Sequence, residues 1–153
     1  MPFFVYLWCP LRFDRFDKPV RKLAYCGIRG GAIVTTFQRA LQLWSVLVFA
    51  AREQKVVSYE MLGRMTGMAN EMGRELGHIY YYCKQKDLPL LNLLAVSKET
   101  GIPGDGCPED LSSLPAQQAR VFVYDWLGYG APKVEDFEET RKTVEKGKAA
   151  ATV

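Results

Sequence analysis

Between Ser58 and Pro89 the sequence carries two helical patterns separated by one glycine, and this arrangement constrains the fold more than any other stretch. Ser58 can cap a helix over Tyr59 to Met65, since a serine hydroxyl accepts from the orphan N–H groups of a first turn. Met61, Leu62 and Met65 form its expected inward face. Gly67 ends it, because a helix C-terminus favours a residue free to adopt positive φ. A second helix runs from about Ala69 to Gln85, with Met72, Leu76, Ile79 and Cys83 recurring at helical spacing. Pro89 closes the region, as proline cannot continue a helix. Two helices joined by a tight, glycine-containing turn make a helix-turn-helix.

The flanking sequence builds outward from that unit. Phe37, Leu41, Trp44, Leu47 and Val48 predict a helix from Phe37 to about Gln54, capped by Thr35 or Thr36 and apolar nearly all round in its second half. Val56 and Val57 suit a short strand. Leu90 to Ser97 has a strand's length, with Leu91, Leu93 and Ala95 on one face and Asn92, Leu94 and Val96 on the other. "SKETG" then turns, and "IPGDG" is too rich in glycine and proline for regular structure. A helix from Ala116 to Leu127 follows, with Val121, Val123, Tyr124 and Leu127 as core contacts. The charged stretch 131–153 holds only Val134, Phe137 and Val144 to dock a short helix or tail. The expected fold class is α+β, mostly helical: a winged helix-turn-helix over 34–130 with additional C-terminal helices. Residues 1–33 show no sustained period. "FFVYLW" can form one short strand, or the segment stands outside the native fold.

Charge narrows the function. The net charge is +3, but residues 1–31 hold six Lys/Arg against two Asp, and the other 122 residues hold 14 basic and 15 acidic groups. The body is therefore not a basic surface, and phosphate neutralisation, the main source of DNA affinity, is limited. Four cysteines (Cys9, Cys26, Cys83, Cys107) lie far apart beside a single histidine, which argues against zinc and for a reduced, cytoplasmic protein. No cofactor is expected. The longest apolar run, "LWSVLVFAA", has nine residues against the roughly 20 that span a bilayer, so no membrane partner is expected. The apolar start lacks the basic region and cleavage site of a secretory signal.

Four short pieces carry a resemblance: "VSYEMLG" (57–63), "MGREL" (72–76), "LPLL" (88–91) and "AVSKETGIPGDG" (95–106). In order and spacing they resemble the C-terminal winged-helix domain of the alkylguanine-DNA alkyltransferases and alkyltransferase-like proteins, over about a third of the chain. The resemblance implies duplex-DNA binding, with Tyr59 matching the family tyrosine that contacts phosphate. It also removes an activity. The family's reactive "P-C-H-R" has no counterpart, for "NLLAV" (92–96) stands in its place, and its intercalating arginine falls on Asn70. Non-enzymatic binding is the expectation.

The candidate DNA contacts are Tyr59, Asn70, Arg74, His78 and Lys84, with Lys98 on the wing. Arg74 and Asn70 are types that read guanine and adenine edges. Arg64 and Lys86 extend a local patch, while Glu71 and Glu75 on the same helix oppose phosphate. His78, off the apolar stripe, reads as a surface or interface residue. "YYY" (80–82) points three ways on a helix, so part of it packs and part is exposed. "GIPGDG" lacks the Gly-Lys-Ser/Thr ending of a phosphate loop and reads as a wing tip. The rival function is a winged helix used for protein contact, as a homodimer or with a regulatory partner. An enzyme ranks last, as no nucleophile and base share a motif and the dense carboxylates of Glu135 to Glu139 suit a solvated helix.

Overall fold

The computed structural model describes residues 34–68 and 72–150, the side chains of 148–150 excepted. The expected strand within "FFVYLW", together with Asn70 and Glu71, lies outside the described residues. Among the described residues, six α-helices and two short strands make a mostly helical α+β arrangement.

Helix α1 spans Thr36–Arg52. Thr35 caps it with a full capping box, its hydroxyl accepting from the Gln38 N–H while the Gln38 side chain accepts from the Thr35 N–H. Ala40, Leu43, Trp44, Leu47, Ala50 and Ala51 are buried, so α1 is the central helix that the apolar run predicts. Strand β1 (Val57–Ser58) leads into α2 (Tyr59–Thr66), where Ser58 Oγ accepts from the Met61 N–H at 3.2 Å and Gly67 caps the end at φ +69°. The expected inward face of α2 needs correction. Met61 and Met65 are 47% and 55% exposed, whereas Leu62 and Gly63 are buried and Tyr59 and Thr66 half-buried. The buried stripe is 59-62-63-66, the i, i+3, i+4, i+7 row of an amphipathic helix.

Helix α3 covers Gly73–Gln85, starting four residues later than the periodicity suggests. Met72, Leu76, Ile79 and Cys83 are buried as expected. Leu90 to Ser97 is not one strand. Leu91–Leu94 forms a 3₁₀ turn, and only Ala95–Val96 is extended, as β2. All six residues from Leu91 to Val96 are buried, so no polar face exists for a strand's alternation to serve. β2 pairs with β1 in parallel, Val57 opposite Ala95 and Ser58 opposite Val96. The turn at 97–102 is closed by the Gly101 N–H donating to Ser97 O and the Ser97 N–H to Ile102 O, both at 2.8 Å.

The expected helix over 116–127 divides into α4 (Leu114–Val123) and the single turn α5 (Trp126–Tyr129), broken at Tyr124, which is extended. Val121 is buried, but Val123 and Leu127 are 81% and 62% exposed, contrary to their expected core role. Trp126 fills that place, its indole N–H donating to Val121 O at 2.8 Å. The charged C-terminal stretch is a 17-residue helix, α6 (Val134–Ala150), rather than a short one. Phe137 anchors it, fully buried against the rings of Tyr82 at 5.3 Å and Trp44 at 6.4 Å. Thr140 adds a polar tie, its hydroxyl donating to Gln85 Oε1 at 2.6 Å. Trp44 meets Tyr82 and Trp126 edge-to-face at 5.6 and 5.5 Å, the geometry aromatic quadrupoles favour. α1 and α6 thus pack on two sides of α3.

Candidate functional site

Because α1 and α6 flank α3, one stripe of that helix stays open among the described residues. Tyr82 and Cys83 go to the core, and Glu75 and His78 are also buried, at 4% and 6% exposure. The open stripe runs through Arg74, Gly77, Tyr80, Tyr81 and Lys84. Opposite it lies the segment Pro103–Pro108, and between the two is a groove of about 480 Å³.

Side-chain bonds hold that groove together. The Gly104 N–H donates to the Tyr59 hydroxyl at 2.9 Å, tying the loop to α2. Lys98 Nζ donates to Glu60 Oε2 at 2.9 Å on the same side. At the other end Glu109 accepts from Lys84 at 2.7 Å and from the Tyr80 hydroxyl at 2.8 Å, fixing the loop to α3. Lys84 is the main reason the Glu109 carboxyl sits below its ordinary pKa, with Tyr80 adding to it. The Tyr80 phenol is pushed well above its usual value, first by burial and then by Glu109.

The groove floor is polar. Asn92 is 8% exposed, its Oδ1 has no hydrogen-bond partner, and its Nδ2 points a weak bond at Cys107 Sγ, 4.0 Å away. His78 lies at the inner end with Nε2 also unpartnered, its ring 4.5 Å from that of Phe37. Burial holds the imidazole below its ordinary pKa; Arg141 and Arg74 add to the shift and Glu75 opposes it. The histidine is therefore neutral near pH 7.

These positions sort the sequence-based candidates. Arg74 is exposed on the groove rim and makes no ion pair among the described residues. Tyr59 lines the groove, but its hydroxyl is engaged by Gly104. His78 is corrected from a surface residue to a buried one, because α6 covers the side of α3 that the sequence leaves to solvent. Glu75, also taken as outward, is buried for the same reason. Lys84 and Lys98 are exposed but each is paired with a glutamate. Asn70 lies outside the described residues.

Three groove residues escaped the sequence reading: Asn92, Cys107 and Arg141. Arg141 comes from α6, and no local pattern links it to α3 60 residues earlier. Cys107 and His78 line one groove although no motif joins them. Cys83, by contrast, is enclosed, and burial pushes its thiol up to about 12, so it is not a nucleophile near neutrality. Among the described residues no group of three or more His, Cys, Asp or Glu is placed to hold a metal ion, and no helix is long and apolar enough to cross a membrane. Compared with family models, curated proteins and solved structures, the chain matches none.

Proposed function

We propose that this chain is a non-enzymatic, winged-helix-like module that binds duplex DNA along the open stripe of α3, with the 97–108 turn and loop as its wing. One observation carries the reading: among the described residues, the uncovered face of α3 presents an arginine without an ion pair, Arg74, then Gly77 and a tyrosine pair, beside a groove. Nothing approaches within 4 Å of a Cβ built on Gly77, so a phosphate backbone can lie close to the helix there. Arg74 supplies the charge-assisted contact, and Lys86 extends it. Because Lys84 and Lys98 are already paired, few phosphates are neutralised. Binding is weak and its salt slope small, roughly −2 to −3 in log K against log salt. The test is fluorescence anisotropy with a labelled duplex at rising salt. Arg74→Glu abolishes binding and flattens the slope; unchanged binding refutes the assigned helix.

A specific feature also favours protein contact. Met61 and Met65 stand one turn apart on the outer face of α2 at 47% and 55% exposure, near neutral charge. Exposed methionines adapt to a partner surface. A dimer or hetero-complex broken by Met65→Lys, in a chain that shows no duplex binding at low salt, would select this reading.

A further inference from the structure

Arg74, on α3, and Arg141, on α6, border both the groove and a second hollow beside it. Among the described residues His78 is also common to the two, so a buried imidazole lies beside two arginines from different helices. Arg74 has no ion-pair partner among the described residues. Arg141 engages Glu145 through Nε at 2.6 Å, and that carboxylate is itself 58% exposed. Among the described residues the other nearby charged groups are Glu75 on α3 and Glu138 and Lys142 on α6. Beyond the arginines the groove walls turn apolar, through Met72, Leu76, Pro103 and Pro108.

We propose that the α3–α6 crossing binds the phosphate of a small aromatic phosphate monoester, whose ring occupies the groove. One carboxylate is satisfied by one guanidinium fork. Two forks on separate helices suit a group with three terminal oxygens and a double charge. The groove volume of about 480 Å³ falls within the range of pockets for small ligands. The ring is favoured by the apolar walls. Glu138 and Glu145 oppose the anion, which limits the affinity to a Kd on the order of 0.1–1 mM.

Arg74 is common to this site and the proposed duplex face, but Arg141 stands on α6, outside that face, so Arg141 variants test the phosphate site separately. The test uses the full chain with three probes, phenyl phosphate, inorganic phosphate and benzoate, followed by NMR at the His78 ring. Phenyl phosphate should shift those resonances saturably and bind roughly tenfold more tightly than inorganic phosphate, with benzoate weakest. Arg141→Gln should weaken both phosphates about tenfold or more while leaving thermal stability and duplex binding in place. The proposal is overturned if neither phosphate moves the His78 signals by 10 mM, on the order of ten times the expected Kd, if benzoate binds as well as phenyl phosphate, or if Arg141→Gln titrates like the parent.

Discussion

Replacing Phe137 by alanine tests the packing on which the groove depends. Phe137 is fully enclosed, its ring against Tyr82 and Trp44, and it is the largest buried side chain of α6. Removing a buried phenyl ring costs about 3–5 kcal/mol, from lost transfer free energy and the cavity left behind. A domain of this size has a total stability of roughly 5–15 kcal/mol, so the loss is a large fraction of it. At about 4 °C per kcal/mol the melting temperature should fall by roughly 12–20 °C, read by circular dichroism or calorimetry. Phe137→Leu fills most of the space and should cost about 1 kcal/mol. The alanine variant has a second signature. If α6 leaves α3, His78 regains water and loses the field of Arg141, so its pKa climbs back towards the ordinary imidazole value. A loss below about 1 kcal/mol, with an unaltered His78 titration, would show that α6 does not cover α3 and would undo the argument for the buried histidine.

Other consequences are more local. His78 is held below its ordinary pKa of 6.5 in the fold, so the unfolded chain binds the proton first; the stability this contributes is present above about pH 6.5 and is lost as pH falls below it. His78→Phe should therefore flatten the pH dependence of urea unfolding between about 7 and 5, and an identical profile would contradict it. Tyr59→Phe removes the acceptor for the Gly104 N–H and should destabilise by about 1 kcal/mol, with faster amide exchange at Gly104. Peptide mapping after alkylation should find Cys107 modified in the native protein and Cys83 protected until unfolding; early labelling of Cys83 would refute its enclosure.

The parts of the fold legible in sequence are those set by local rules. Thr35, Ser58 and Gly67 announce helix ends through their own hydroxyls and backbone freedom, and each stands where it was expected. Stripes such as Met72-Leu76-Ile79-Cys83 are equally local. The failures are tertiary. "LNLLAV" alternates acceptably for a strand, yet burial on both sides lets it coil into a 3₁₀ turn. Apolar character alone places Met61 and Met65 inward, although an eight-residue helix packed against α1 and the β1–β2 pair buries only the row 59-62-63-66. His78 and Glu75 were misplaced because the helix that covers them begins at Val134, in a stretch whose charge hides one phenylalanine and one threonine. The groove inherits both outcomes. The helix-turn-helix pattern points to Arg74 and the family resemblance to Tyr59, whereas Arg141, Asn92 and Cys107 join the groove only when distant segments meet.

The 97–110 segment is fastened mainly by side-chain bonds: Gly104 to Tyr59, Lys98 to Glu60, and Glu109 to Tyr80 and Lys84. Each such bond contributes on the order of 1 kcal/mol or less, far below the cost of separating α1 from α3. The wall of the groove and its floor therefore belong to different cooperative units. Opening of the segment is a sub-global event that leaves the core intact. Native-state hydrogen exchange would register it as a separate, low free-energy class of amides around Ser97, Gly101 and Gly104. The width of the groove is accordingly a population that salt and ligands can shift, since two of its four fastenings are ion pairs.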